Sequence, residues 1–376
     1  MPIVLFSFFV LMMALSFLTS FISIRFDIAH LSKEWLGVVG SMYTMGMTLS
    51  NFGFSRFVAR YGFIRTYVGI SSVIGLSMLL LGFVFNPWVW SVLRFIIGYG
   101  LGAIFIIIES WVMLVSQKNA KGEALAHYCL ILYLGYAIAP YLFRCIRGDY
   151  TTAYPLMLMA LLVFISIAII VFTRLKEPII EIHDTTLIFG DCLQKAPVYF
   201  IQCFASGVMN TIIYVFFPKV MFHHPYIHFT YLLSIVILGG ALFQYPVGIL
   251  SDRYKHFNVL LSLNIMMAIL LAMSLIFFNT YWILPLLFLL GGCLLGIYPL
   301  TITATCRLIK NDFSVVQTLL LVYGLGCILG PFICIWMFMP FFREMDAVWV
   351  CLFAVNFVTM ILSFFLRRHP TNPATA

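Results

Sequence analysis

The apolar residues of this chain are gathered into runs of about twenty, and this pattern limits the fold more than any other feature. A helix needs ~20 apolar residues to cross the hydrocarbon core of a bilayer. Only 9% of the residues are charged, against about 25% in an average soluble domain, so the chain cannot cover a water-facing surface. We therefore predict an all-α membrane protein with twelve transmembrane helices. The predicted spans are residues 2–24, 36–55, 64–85, 88–115, 124–145, 152–173, 196–217, 229–250, 257–278, 281–305, 314–338 and 346–366.

A polar interval in the middle of the chain, from Arg174 to Lys195, divides these spans six and six. It is the longest connection between two predicted spans. We predict an N-terminal six-helix bundle at residues 1–173 and a cytoplasmic linker at 174–195. A C-terminal six-helix bundle at 196–366 and a short cytoplasmic tail at 367–376 follow.

Basic residues in the loops predict the orientation. With both termini on one side, that side holds fourteen Lys and Arg residues and the opposite side holds six. The positive-inside rule then places both termini in the cytoplasm. The net charge of +8 does not indicate nucleic acid, because the basic residues occur in ones and twos at the ends of apolar runs instead of on one face. Lipid headgroups attract basic residues at such positions, so the expected partner is a bilayer.

Two full charges lie well inside the fourth span, Arg94 near one end and Glu109 near the other. A charge at mid-membrane costs roughly 2.5–3.5 kcal/mol on insertion scales, so function is the default hypothesis. Fifteen residues of helix separate the two by about 22 Å, which excludes direct pairing and leaves them on roughly one face. We expect Glu109 to take up a proton and Arg94 to bind an anionic group or hold a gate. The alternatives are snorkelling to the nearer membrane surface and, for Glu109, a structural tie to Arg56 or Arg60.

The two halves carry related segments at similar spacing. Residues 55–62 (SRFVARYG) follow the second span and residues 248–255 (GILSDRYK) follow the eighth, and their Arg-Tyr pairs are 193 positions apart. Pro140 and Pro331, in the fifth and eleventh spans, are 191 positions apart. A weak repeat at half the chain length is typical of duplicated transporter folds, whose substrate site lies between the halves.

These residues resemble motifs of the major facilitator superfamily. The family form G-x-L-A-D-R-x-G, which forms a loop between two helices, is similar to the segment that leaves the eighth span, with Gly248, Leu250, Ser251, Asp252 and Arg253. Its first copy is degraded, because Ser55 and Ala59 replace the glycine and the aspartate while Arg60 and Gly62 remain. The family's fourth-helix arginine and glycines correspond to Arg94, Gly98, Gly100 and Gly102. Its G-x-x-x-G-P motif is matched imperfectly at Gly135 through Pro140 and fully at Gly326, Gly330 and Pro331.

Within the superfamily the chain is most similar to the YcaD-like bacterial inner-membrane branch, over nearly its whole length. The residues that carry this likeness are Gly37, Val38, Val39, Tyr43, Gly46, Arg94, Phe95, Glu109, Ser110, Gln244, Tyr245, Pro246, Tyr298, Pro299, Gln317 and Tyr323.

The resemblance implies roles by position. Substrate or proton pathway residues are Arg94, Glu109, Gln244, Tyr298, Gln317 and Tyr323. Cytoplasmic gate residues are Arg60, Gly62, Gly248, Asp252 and Arg253. Residues for helix packing or bending are Gly98, Gly100, Gly102, Gly135, Pro140, Gly326, Gly330 and Pro331. The alternative for the pathway residues is interhelical hydrogen bonding without substrate contact. The alternative for the gate residues is a solvated turn, and for the packing residues it is a lipid-facing surface.

The predicted function is secondary active transport of a small organic solute across the bacterial inner membrane, by alternating access and with proton coupling. The resemblance implies a monomer. The alternatives are a transport-deficient sensor or receptor on the carrier fold, suggested by the degraded first motif, and an uncoupled facilitator. The chain has no G-x-x-x-x-G-K-[ST] motif for ATP, and no HExxH, GxSxG or paired carboxylates, so neither ATP hydrolysis nor a membrane enzyme is indicated. We predict no cofactor and no metal site, and we interpret His223, His224 and His228 as an interfacial loop instead of a metal or pH sensor.

Overall fold

A computed structural model describes residues 2–50, 58, 60–115, 128–139, 151–172, 187–222, 224, 227, 229–309 and 312–367. Regular structure in these residues is helical throughout. The chain separates into two compact units, Met1–His183 and Asp184–Ala376. The bounds of the helices in unit 1 are α1 Pro2–Ile28, α2 Lys33–Leu49, α3 Phe63–Phe83, α4 Pro87–Val115, α5 Tyr128–Ala139 and α6 Tyr154–Val171.

Unit 2 begins its described part with a short helix and continues with six long ones. The bounds are α7 Phe189–Lys195, α8 Pro197–Phe222, α9 Phe229–Arg253, α10 His256–Ile276, α11 Ile283–Leu308, α12 Asp312–Ile333 and α13 Glu344–Arg367. A π-helical turn, Cys334–Phe338, directly follows α12.

Ten helices among the described residues are long and apolar enough to cross a membrane, namely all except α2, α5 and α7. Each of the ten coincides with a predicted span. The two remaining predicted spans overlap α2, which has 17 residues, and α5, whose flanks lie outside the described residues. The prediction of an all-α membrane protein with many spans is confirmed. The count of twelve in two bundles stays a prediction.

Glycine and proline set several helix ends. Gly62 precedes α3 with φ 86°, a backbone conformation that glycine adopts at no steric cost. Pro87 opens α4, and the Asn86 side chain caps it by accepting a hydrogen bond from the Trp88 backbone N–H at 2.9 Å. Pro331 lies inside α12 and cannot donate to the preceding turn, and the π-helical turn begins three residues later. Pro140, the other proline predicted to bend a helix, lies outside the described residues.

Glycines bring the backbones of α2 and α4 into direct contact in unit 1. A Cβ added at Gly98 would lie 2.0 Å from the Tyr43 carbonyl oxygen, and one at Gly46 would lie 2.2 Å from the Phe95 oxygen. Either distance is shorter than any van der Waals contact. Glycine is therefore required at both positions if the two helices are to approach this closely.

The same crossing recurs in unit 2 between α9 and α11. A Cβ at Gly239 would lie 1.8 Å from the Phe288 oxygen, and one at Gly291 would lie 1.9 Å from the Val236 oxygen. Gly239 follows Gly46 by 193 positions, and Gly291 follows Gly98 by the same number. This is also the spacing of the two Arg-Tyr pairs, so the duplication is visible in the packing of the helices.

A second repeated contact joins the first and fifth long helices of each unit. In unit 1, a Cβ at Gly135 of α5 would lie 3.2 Å from the Phe9 oxygen of α1. In unit 2, a Cβ at Gly326 of α12 would lie 2.1 Å from the Phe204 oxygen of α8. Gly330, one turn further along α12, approaches Val208 of α8 in the same way, at 2.7 Å.

The described end of the predicted linker is part of unit 2. Cys192 of α7 is fully buried in an apolar cluster with Val315 and Leu319 of α12, and this burial raises the pKa of its thiol. The Ile188 backbone N–H donates to Thr318 Oγ1 at 3.0 Å. The last turns before α8 are thus anchored, whereas residues 173–186 of the chain lie outside the described residues.

Candidate functional site

Arg94 lies in the interior of unit 1, with 1% of its surface exposed. Its Nη2 donates a hydrogen bond to Thr19 Oγ1 of α1 at 3.1 Å. Its Cζ lies 4.0 Å from the centroid of the Tyr43 ring of α2. A third helix contributes Tyr136, whose hydroxyl bonds to that of Tyr43. The α2–α4 crossing at Gly98 positions this site, because it brings the Tyr43 backbone against α4 one turn after Arg94.

The guanidinium group has no negatively charged neighbour in the part of the chain that the structure describes. Its Nε and Nη1 atoms are buried without a hydrogen-bond partner there. A snorkelling arginine places its guanidinium group at the membrane surface. The guanidinium group of Arg94 is instead enclosed within unit 1.

Glu109 has a different environment on the same helix. Its side chain is exposed, although the preceding residues Ile107 and Ile108 are fully buried. The Tyr128 hydroxyl of α5 is a hydrogen-bond partner of its carboxylate, and the Tyr128 ring stacks on Phe8 of α1 with centroids 5.3 Å apart. This contact fixes one side of the carboxylate and leaves the rest accessible.

The structural tie suggested for Glu109 is not seen with the one arginine that can be examined. Arg60 is exposed, and its Cζ lies 5.5 Å from the centroid of the Tyr61 ring. No ion pair joins Arg60 to Glu109 in the described residues. Arg56, the other suggested partner, lies outside them.

In unit 2 the structure brings two of the predicted pathway residues together. The rings of Tyr298 on α11 and Tyr323 on α12 have centroids 4.5 Å apart, and both side chains are half-buried. Asn210 on α8 donates from Nδ2 to the Tyr323 hydroxyl, while its own Oδ1 has no partner among the described residues. Asn210 was not among the residues predicted from the sequence. An amide inside the apolar span 196–217 was the signal that could have identified it.

The two predicted glutamines lie elsewhere. Gln244 lines a cavity of about 70 Å³ between α9 and α11, together with Gly248, Pro299 and Thr303. This volume is well below the ~300–1,000 Å³ of ligand pockets for drug-sized molecules. Gln317 lies on α12 six residues before Tyr323, and its Oε1 is buried without a partner in the described structure.

The predicted gate segment of unit 2 is helical and not a loop. Gly248 through Arg253 form the last turns of α9, and the connection to α10 consists only of Tyr254 and Lys255. The loop expectation for this segment was wrong, because α9 continues through Gly248 to Arg253 and the Ser251 hydroxyl donates to the Gly248 oxygen at 2.8 Å within the helix. Arg253 is exposed, and the Asp252 side chain lies outside what the structure describes.

The histidine cluster is described only at His224. Its Nδ1 accepts a hydrogen bond from the Ile227 backbone N–H at 3.0 Å, so its Nε2 carries the proton and donates to the Phe278 oxygen at 2.7 Å. Both ring nitrogens are therefore occupied in holding the α8–α9 connection. Within the described ranges no group of three His, Cys, Asp or Glu side chains could hold a metal ion.

Comparison with known sequences identifies the family. The family model of the Major Facilitator Superfamily matches residues 4–331 and 196–376. The chain belongs to the major facilitator superfamily. As a member, it is a multi-pass membrane protein of a transporter family, and the resemblance inferred from its motifs is confirmed.

Its relatives include the uncharacterized MFS-type transporter YcaD of Escherichia fergusonii, 25% identical over 96% of this chain and 94% of the relative. An uncharacterized MFS-type transporter of Enterobacter sp. strain 638 is 26% identical over 85% of this chain and 84% of the relative. These names indicate a transporter and not an enzyme.

Solved structures of transporters share the fold. The nucleoside transporter NupG superposes with a TM-score of 0.80 over 98% of both chains, at 16% identity. The fucose:proton symporter FucP of Escherichia coli gives a TM-score of 0.62 over 98% of this chain and 99% of FucP, at 14% identity.

Proposed function

We propose that this member of the superfamily is a secondary active transporter that moves a small organic solute across the bacterial inner membrane by alternating access. In this proposal residues 1–173 and 196–366 are two six-helix bundles, 174–195 is a cytoplasmic linker, and both termini, including the tail at 367–376, are cytoplasmic. The observation that carries the proposal is the repeated glycine crossing, at Gly46 and Gly98 in unit 1 and 193 positions later in unit 2. A duplicated bundle is the architecture in which two halves rock about a shared substrate site.

Glu109 is the proposed proton carrier. It is an exposed carboxylate on a helix that otherwise has the hydropathy of a membrane span. A carboxylate facing acyl chains is costly, so the proposal places Glu109 on a water-filled pathway. Tyr128 holds one side of the carboxylate by a hydrogen bond and leaves the other side free to exchange a proton.

The solute pathway in unit 2 is proposed to run along the polar cluster of Asn210, Tyr298 and Tyr323. Two aromatic rings, two hydroxyls and an amide oxygen suit a solute that both stacks and hydrogen-bonds. Gln317 lies less than two turns before Tyr323 on α12, about 120° around the helix axis from it, and is kept as a separate pathway residue of unit 2. NupG carries nucleosides and FucP carries fucose by their names, and both are solutes of that kind.

The cytoplasmic gate is proposed to use the end of α9 and the residues just before α3. Arg253 is exposed at the end of α9, and Arg60 is exposed just before α3. Gly62 supplies the turn that starts α3. We also propose that the protein is a monomer with no cofactor and no catalytic activity.

The test is accumulation of solutes by the full-length protein in liposomes with an alkaline interior. The external probe is a uniformly ¹³C-labelled bacterial metabolite extract, and mass spectrometry identifies labelled compounds trapped inside. We expect at least one compound to accumulate above its external concentration in wild-type liposomes. Glu109→Gln should allow the compound to equilibrate but not to accumulate, because the variant cannot carry the proton.

Three outcomes would contradict parts of this proposal. No compound entering above the level of empty liposomes would leave the sensor or receptor as the better function. Equilibration without accumulation in the wild type would show an uncoupled facilitator. Accumulation by Glu109→Gln equal to that of the wild type would remove Glu109 from proton coupling. The matched control is Glu34→Gln, a carboxylate in the first turn of α2, which should accumulate the compound normally.

A further inference from the structure

The charge of Arg94 is not compensated by the residues that the structure describes around it. A guanidinium group carries five N–H donors and no acceptor. One donor is used by Thr19, whereas the Nε donor and both Nη1 donors have no acceptor in the described structure. The contacts it does make, with Thr19, Tyr43 and Tyr136, are all with neutral groups. Buried charges in proteins are normally paired, and the described part of the chain does not supply the partner that this chemistry requires.

Unit 2 shows that the helix crossing does not need this charge. The position equivalent to Arg94, 193 residues later, is Leu287, and the position equivalent to Tyr43 is Val236. Both are buried, at 0% and 3% exposure, beside the same pair of glycine contacts. An apolar side chain therefore fills this place when only packing is required. A structural role does not explain why unit 1 keeps an arginine there.

We propose that Arg94 binds an oxyanion group, a carboxylate or a phosphate, of the transported solute. This inference rests on the proposed transport function, because it requires a solute that reaches the interior of unit 1 in another state of the cycle. The Tyr43 ring centroid lies 4.0 Å from Cζ, and the N–H donors lie in the guanidinium plane. The second Nη2 proton forms a fork with either the Nε proton or an Nη1 proton, and such a fork matches two oxygens of one anion, which lysine cannot reproduce.

The neighbouring hydroxyls fit the same ligand. Tyr43 and Tyr136 bond to each other and can turn toward an anion that binds beside Arg94, since a phenol both donates and accepts. Thr19 holds Nη2 from the opposite helix and fixes the direction of the remaining donors. Among the described residues the site thus supplies one full positive charge and no negative one, which favours an anionic group over a neutral one.

The test measures thermal unfolding of the purified full-length protein with matched anionic and neutral probes at constant ionic strength. Benzoate is compared with benzamide, and glycerol 3-phosphate with glycerol. At ten times its dissociation constant, a ligand of the native state should raise the apparent unfolding temperature by roughly 2–4 °C. We expect this shift with an anion and not with its neutral counterpart. Arg94→Leu should abolish the shift and Arg94→Lys should reduce it, whereas Arg65→Gln, at an exposed arginine of α3, should leave it unchanged.

The response of the two probe pairs distinguishes a carboxylate site from a phosphate site. Equal shifts in wild type and Arg94→Leu would overturn the proposal, as would the absence of any shift or an equal shift with sodium chloride, which would indicate an adventitious ion only. Without anion, Arg94→Leu should unfold at the same or a higher temperature than wild type, because a leucine occupies the equivalent place in unit 2. A lower temperature would show a structural arginine and would also overturn it.

These readouts are independent of the transport proposal. An Arg94-dependent shift without any solute flux in the liposome assay would retain the anion site and reject the transporter. Flux restricted to neutral solutes, with no Arg94-dependent shift, would retain the transporter and reject the anion site.

Discussion

The two units share a helix crossing and differ in what they place beside it. Gly98 in unit 1 and Gly291 in unit 2 make the same backbone contact, yet the residue one turn before the glycine is Arg94 in one unit and Leu287 in the other. The difference also runs in the other direction, since Tyr298 of unit 2 occupies the position of Phe105 in unit 1. The duplication has kept the contacts that bring backbones together and has placed polar side chains at different positions.

One pair of positions keeps the same helix contact in both units although the small and the large residue have changed places. In unit 1 the small residue is Gly102 on α4, which lies against Met47 and Ser50 of α2. In unit 2 the equivalent of Gly102 is Leu295, and the equivalent of Met47 is Gly240, and these two are again in contact. The glycine has moved from one helix to the other, and the space between the helices is filled in both cases. Polar residues that lack such a counterpart are therefore the better candidates for function.

The largest effect is expected at the shared crossing, for Gly98→Leu and Gly291→Leu. Each new Cβ would lie about 2 Å from a carbonyl oxygen, at 2.0 Å in unit 1 and 1.9 Å in unit 2, so the two helices must separate. We expect each variant to lose at least ~3 kcal/mol of unfolding free energy and to disappear from the monodisperse peak in size-exclusion chromatography.

Gly69→Leu is the matched control for these variants. Gly69 is a glycine of α3 with no atom within 4 Å of an added Cβ, and its leucine variant should elute and unfold as the wild type does. Loss of only one of the two crossing variants would break the comparison, because it would show that the two units do not depend on the crossing equally.

An intermediate effect is expected for Leu287→Arg, which gives unit 2 the charge that unit 1 carries. Leu287 is fully buried, and the position of Tyr43 is occupied there by Val236, so the new guanidinium lacks even a ring to stack on. The expected loss is about 3 kcal/mol, comparable with the insertion cost of a charge at mid-membrane. Thermal unfolding measures this loss. The control is Leu287→Met, which preserves volume and should cost less than ~1.5 kcal/mol. Equal losses of unfolding free energy in the arginine and methionine variants would mean that position 287 accepts a charge. The contrast between Leu287 and Arg94 would then not indicate function.

The sequence predicted the helices well because their signal is local. Runs of apolar residues locate every long helix, and Arg94 and Glu109 stand out because a charge inside such a run is costly. The glycine crossing of unit 2 was also accessible, since adding the 193-residue spacing to Gly46 and Gly98 leads to Gly239 and Gly291.

The partners of the charged residues could not be predicted from the sequence. Thr19, Tyr128 and Tyr136 belong to helices whose rotation is set by packing, and the apolar runs of α1 and α5 do not show which face is turned toward α4. The prediction for the end of α9 failed for a different reason. The motif at Gly248 to Arg253 was assigned to a loop by resemblance, whereas α9 continues to Arg253 even though Pro246 and Gly248 are poor helix formers.

The smallest effect on stability is expected where the two units differ in the gate motif, at Asp252 and at Ala59, which precedes it by 193 positions. Asp252 belongs to the last turn of α9, where a negative charge opposes the helix dipole by about 0.3–1 kcal/mol. Asp252→Ala should therefore leave the unfolding free energy unchanged or slightly higher. If the carboxylate closes a gate, solute accumulation in liposomes should nevertheless fall severalfold, whereas Ala59→Asp should change it little because unit 1 functions without that carboxylate. Equal tolerance of both substitutions in the accumulation assay would show that the two gates are equivalent. A loss of stability in Asp252→Ala would show that the aspartate is a packing feature of α9.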